Sequence, residues 1–173
     1  MAETLKADIA KEVNISARRN DSFQLNLEVS DTNGLMDMDD VLPDGSTPVY
    51  QGKMTIISSS GERVLSVYSY YWKGLIPTVN TDHPLSDEPT GSAEGYYSGT
   101  SSNQGIDLTA QSAAGTTAKI VIPHAYMGFQ SGDYKYDLQI RKQATGTTPD
   151  EDASEYTTWL YGVFTLNADI TQV

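Results

Sequence analysis

Residues 131–142 read S-G-D-Y-K-Y-D-L-Q-I-R-K. Tyr134, Tyr136, Leu138 and Ile140 fall on every second position, and Lys135, Asp137, Gln139 and Arg141 fall between them. Successive side chains of a strand point to opposite faces, so this alternation predicts a half-buried antiparallel strand with one apolar and one polar face. The Ser-Gly-Asp before it supplies the turn from which the strand starts. A protein built around such a strand needs a second apolar sheet face to cover it.

The same period of two recurs on both sides. Ile9, Lys11, Val13, Ile15 and Ala17 alternate with Ala10, Glu12, Asn14 and Ser16, and Phe23, Leu25, Leu27 and Val29 alternate with polar residues. The link R-R-N-D between these two strands is short and polar, and S-D-T-N-G at 30–34 closes the second with an Asn-Gly turn. The stretch from Lys53 to Trp72 reads as strand, Ser/Gly turn and strand. Ile56-Ile57 and Val64-Leu65 are adjacent apolar pairs, so alternation alone leaves open which member of each faces the core. Further strand signals are I-D-L-T-A-Q (106–111), A-K-I-V-I-P (118–123) and the final T-T-W-L-Y-G-V-F-T-L-N-A-D-I-T (157–171). P-H-A-Y-M-G-F-Q-S-G leaves room for one short helical turn.

Seven or eight strands with no helical periodicity predict an all-β sandwich in a single domain over residues 1–173. Its expected core is Ile15, Phe23, Leu25, Leu27, Val29, Ile120, Ile122, Tyr136, Leu138, Ile140, Phe164 and Leu166. Between about Lys73 and Gly105 the composition turns to Ser, Gly, Thr, Asn, Pro and Tyr, which reads as a long loop insertion (73–105). A stretch of this length without periodicity is uncommon inside a compact domain and points to an insertion that is functional or mobile.

Composition bounds the function. Of 173 residues 38% are hydrophobic, enough to fill a core, and no apolar run approaches the roughly 20 residues of a membrane span. The first residues, M-A-E-T-L-K-A-D-I-A-K-E, lack the apolar centre of a secretory signal, so a soluble product is expected. There is no cysteine, which excludes disulfides and thiolate-bound zinc and leaves the redox compartment open. A net charge of −12, with only 11 scattered Lys and Arg, opposes nucleic-acid phosphate and favours solubility.

Four short motifs occur in an order that resembles the immunoglobulin-like N-terminal domain of tailed-phage upper baseplate and receptor-binding proteins. They are Arg19-Asn20-Asp21 where that family has an Arg-Gly-Asp-like turn, Gly132 with Tyr134 to Leu138, Gly162 with Phe164, and Asp169-Ile170-Thr171 as the close. The resemblance covers nearly the whole chain. Asn20 replaces the usual glycine, a mild change because Asn also tolerates left-handed backbone geometry. The sequence stops two residues after Thr171, whereas many relatives continue into a stem or head, and the insertion is longer than the usual connection. The resemblance thus implies an immunoglobulin-like sandwich acting as a virion structural protein, an adaptor or decoration subunit without the fibre. Its partners would be other virion proteins in a symmetric assembly of several copies, with localisation in the virion after assembly in the host cytoplasm.

The residues offer no catalytic constellation. The two histidines, His83 and His124, sit in no motif, and the Gly-rich pieces lack the lysine and strand–loop–helix context of a phosphate loop. D-M-D-D (37–40) and D-E-D (150–152) match no calcium-loop spacing and read as solvated turns, so neither a metal nor a cofactor is expected. The candidate partner interface is Tyr70, Tyr71, Trp72, Tyr96 and Tyr97 at and within the insertion, with Trp159, Tyr161 and Val163 on the last strand. There Trp159, Tyr161 and Val163 are expected on one face and Leu160, Phe164 and Leu166 on the other, so both faces are apolar and the outer one needs a cover, either a neighbouring loop of the same chain such as the Tyr-rich insertion or another subunit. The alternative is a carbohydrate-binding sandwich, in which Tyr70, Tyr71, Trp72, Tyr96 and Tyr97 would stack on host-surface glycans.

Overall fold

The structure is a computed structural model. It describes residues 2–6, 10–31, 34–35, 38, 41, 43, 45, 49–69, 97–98, 105–112, 115–143 and 155–169. Among these residues the regular structure is strand, apart from one 3₁₀ turn at His124–Tyr126. The strands are β1 (Ala2–Lys6), β2 (Lys11–Glu12), β3 (Ile15–Arg18), β4 (Phe23–Asp31), β5 (Gly34–Leu35), β6 (Tyr50–Ile57), β7 (Arg63–Tyr68), β8 (Tyr97–Ser98), β9 (Gly105–Ser112), β10 (Gly115–Ile122), β11 (Gly132–Lys142) and β12 (Glu155–Asn167).

They form two sheets. One runs β1-β4-β10-β9, with β5 beside β4; the other runs β2-β12-β11-β6-β7-β8, with β3 also beside β12. The protein is therefore an all-β sandwich. The central orders, β4-β10-β9 and β12-β11-β6, reproduce the B-E-D and G-F-C orders of immunoglobulin-like sandwiches, with Greek-key crossings between the sheets. The main ladders are antiparallel, but β1 on β4, β2 and β3 on β12, and β8 on β7 are parallel. The edges thus depart from a purely antiparallel sandwich.

The excess of strands over the expected seven or eight comes from short edge pieces and from one division. The alternation at residues 9–17 predicts a single strand, yet the chain splits into β2 and β3 around Val13 and Asn14. Both pieces keep one register on β12, with Glu12 opposite Tyr161 and Ile15 opposite Phe164. The break between them has a local cause, given below. The described part of the insertion contributes β8, which pairs with Val67 and Tyr68.

The core lies between the two sheets. Of the twelve expected core residues, eleven are buried, and Phe23 is half-buried, packed edge-on against Phe164 at 5.4 Å between ring centroids. Met38, Met54, Leu65, Val67, Ile106, Leu108, Met127 and Leu160 join them. The two apolar pairs left open by alternation are resolved by a bulge in β7: Ile56 faces Leu65, Ile57 faces Arg63, and Val64 has no partner of its own. Ile56 and Leu65 turn inward, while Ile57 and Val64 are half-buried.

One end of the sandwich is closed by the turn at Arg19–Asn20. Asn20 has φ 64°, a left-handed position that Asn accommodates, and its backbone N–H donates to the Met127 carbonyl at 3.0 Å. The Arg19 guanidinium donates twice to the Gly128 carbonyl, at 3.1 and 3.0 Å. These bonds tie the start of β4 to the crossing between β10 and β11, where the Tyr134 hydroxyl donates back to the Gln130 carbonyl. A tyrosine at the start of this strand bonding to backbone a few residues upstream is the tyrosine corner of immunoglobulin-like folds.

Candidate docking surface

The last two long strands, β11 and β12, carry the surface of interest. Directly opposed residues share a face, so Arg141 with Tyr156, Gln139 with Thr158, Asp137 with Tyr161, and Lys135 with Val163 all lie on the side turned away from the core. Tyr161 is 44% and Val163 37% exposed, and their β11 neighbours Lys135 and Asp137 are exposed as well. Tyr156, nearer the start of β12, is 42% exposed. An apolar stripe runs along the outside of β12.

Trp159 does not belong to it, which corrects the expected grouping. Leu138 opposes Leu160 and Gln139 opposes Thr158, so Trp159 is the extra residue of a β-bulge. A bulge interrupts alternation, and the two consecutive side chains Trp159 and Leu160 both enter the core, Trp159 to 2% exposure. Beyond the bulge the period resumes, with Tyr161 and Val163 outward and Phe164 and Leu166 inward. The outer face is apolar at Tyr161 and Val163 without any contribution from Trp159.

What presents this stripe is a close backbone approach. Gly162 has φ 155°, and a Cβ built on it would lie 2.3 Å from the Val13 carbonyl oxygen. Only glycine allows that contact. The Val13 carbonyl accepts a hydrogen bond from the Tyr136 hydroxyl at 2.7 Å, and the Val163 N–H donates to the Asn14 side-chain oxygen at 3.0 Å. Side chains thus take two of the backbone groups at the point where β2 and β3 separate, while the Val13 N–H still donates to the Tyr161 carbonyl at 2.9 Å.

The other half of the same sheet face differs. Gln51, Ser66, Tyr68, Arg141 and Gln143 point away from the core, yet all five are buried. Alternation reads Arg141 as a solvent-facing residue, and no local pattern distinguishes it from Lys135. Asp137 is exposed as a whole residue, but the strands beside its carboxyl strip away water and raise its pKa; Lys53 and a hydrogen bond from the Thr55 backbone oppose that rise.

Tyr70, Tyr71, Trp72 and Tyr96 lie outside the described residues; Tyr97 lies in β8, with its side chain outside them. His83 and Asp150, Glu151 and Asp152 are outside them too, as is most of the 37–40 segment, in which Met38 is buried in the core. His124 is exposed in the 3₁₀ turn. Among the described residues no three His, Cys, Asp or Glu side chains group as metal ligands, and no helix is long and apolar enough to cross a membrane.

In comparison with known proteins, no protein-family model matches the chain and no curated protein matches it.

Proposed function

We propose that this sandwich is a non-catalytic structural module of a tailed-phage virion, an adaptor or decoration subunit that repeats around a symmetric element and anchors a tail or head fibre or another host-contact protein. The ordered motifs at Arg19-Asn20-Asp21, Gly132 to Leu138, Gly162 with Phe164 and Asp169-Ile170-Thr171 support the family reading by resemblance. The observation that carries docking is the exposed Tyr161–Val163 pair, carried on the 13-residue strand β12 and flanked by the charges of Lys135 and Asp137. Aromatic and aliphatic anchors with a polar surround are what a protein interface uses. Placement in the virion, with assembly in the host cytoplasm, follows from that reading.

The test is incorporation. Tyr161→Lys and Val163→Lys should leave the circular dichroism and melting temperature nearly unchanged while mass spectrometry finds the variants depleted from purified particles. Incorporation at the parental level would sink the proposal. A second reading is favoured by one observation, the two exposed phenol rings of Tyr156 and Tyr161 on one strand face, which suit stacking on sugar. Binding to a host-surface glycan array that is lost in Tyr156→Ala and Tyr161→Ala would select it over protein docking.

A further inference from the structure

The buried polar cluster on the outer sheet face has a chemistry that its own members do not complete. Arg141 is 2% exposed and Gln143 is 1% exposed, two residues apart on β11 and its extension, with Gln51 directly across the ladder from Arg141. Arg141 Nη1 donates to Gln51 Oε1 at 2.9 Å, and Gln51 Nε2 donates to Gln143 Oε1 at 3.0 Å. A guanidinium has donors only, which fixes both amides in turn: the Gln51 oxygen must accept, its nitrogen must donate, and the Gln143 oxygen must accept. The relay therefore ends in donors on both sides. Arg141 Nε and Gln143 Nε2 are both buried and both lack an acceptor.

No carboxylate of a described residue pairs with Arg141. The Tyr156 ring centroid lies 6.0 Å from its guanidinium carbon, and Tyr156 itself is exposed. A guanidinium removed from water without a counter-charge is strongly unfavourable, and an acceptor-only, negatively charged group would relieve both the charge and the unpaired donors. A water molecule would offer acceptor capacity but no charge.

We propose that the buried Arg141–Gln51–Gln143 cluster takes a carboxylate, for which the unpartnered Arg141 Nε and Gln143 Nε2 are the available donors. Carboxylate is the matching chemistry because it is planar, accepts only, and takes charge-assisted bonds from guanidinium. The proposal stands independently of the virion reading, since an acidic side chain of a partner and a uronic-type sugar present the same group.

The test is nuclear magnetic resonance of the ¹⁵N-labelled full chain, following the Arg141 Nε–H and Gln143 side-chain amide signals during titration with sodium acetate or, at matched ionic strength, sodium chloride. A saturable acetate shift absent with chloride supports the seat. Parallel titrations with N-acetyl-glutamate amide and methyl glucuronoside identify the source, the tighter of the two naming protein or sugar. Gln143→Glu places a carboxylate on the relay itself, so it should raise the melting temperature and abolish the acetate response. Signals that do not move, that move equally with chloride, or a Gln143→Glu variant that melts lower than the parent would each overturn the proposal. Tyr161→Lys should leave the acetate response intact, which separates failure of this site from failure of the docking stripe.

Discussion

A Cβ on Gly162 would fall 2.3 Å from the carbonyl oxygen of Val13, so the last strand and the N-terminal edge strand meet at a distance that excludes every side chain. Gly162→Ala should force β12 away from Val13, break the Val163–Asn14 bond and cost at least about 2 kcal/mol, since both overpacking and an unfavourable φ act against it. Urea denaturation checks this. A loss under roughly half a kcal/mol, the scale of an ordinary surface substitution, would show that the approach is not a constraint.

The Val13 carbonyl depends on Tyr136 for its hydrogen bond. Tyr136→Phe keeps the ring in the core but leaves a part-buried acceptor unpaired, an expected loss of about 1–3 kcal/mol. Tyr134→Phe removes the corner bond to Gln130 at an exposed position and should cost less. Equal losses in the two variants would contradict the burial difference.

Core and outer face should separate cleanly by mutation. Leu27→Ala and Leu138→Ala should each cost about 2–5 kcal/mol, and Trp159→Ala about 3–5 kcal/mol, because all three side chains are buried. Tyr161→Ala should stay within roughly 0.5 kcal/mol. A small effect at Trp159 would return it to the surface stripe.

Asp137 supplies a pH signature. Desolvation raises its folded-state pKa above the ordinary 3.8, with Lys53 and the Thr55 backbone opposing, so the folded chain retains this proton to higher pH than the unfolded chain. The associated stability is fully present below the ordinary value and is lost as pH rises through the folded-state value. Asp137→Asn should therefore be more stable than the parent at neutral pH, with the difference shrinking on acidification toward pH 3.8. Paired urea titrations across that window measure it, and a variant less stable than the parent at neutral pH would refute the sign.

Alternation located the long strands and most of their inward faces. Tyr136, Leu138 and Ile140, like Leu25, Leu27 and Val29, are buried where alternation puts them, because side-chain direction in a strand is a local property of the backbone. Asn20 was legible for the same reason, a left-handed position being a matter of one residue's own sterics. The tyrosine corner left a signal too, Gly132 two residues before Tyr134 at a strand start, though its partner Gln130 is fixed only by the crossing of the sheets. The rest was set by how distant strands meet. The bulge at Trp159 depends on how β12 pairs with β11, and one extra residue sends a side chain to the opposite face without any trace in the alternation around it. The break at Val13 and Asn14 depends on Gly162, about 150 residues away in sequence, and on the Tyr136 hydroxyl. Arg141 and Lys135 share one period and one face, yet only Arg141 is buried, because burial on the outer side of a sheet is set by what packs over it and not by the strand that carries the residue.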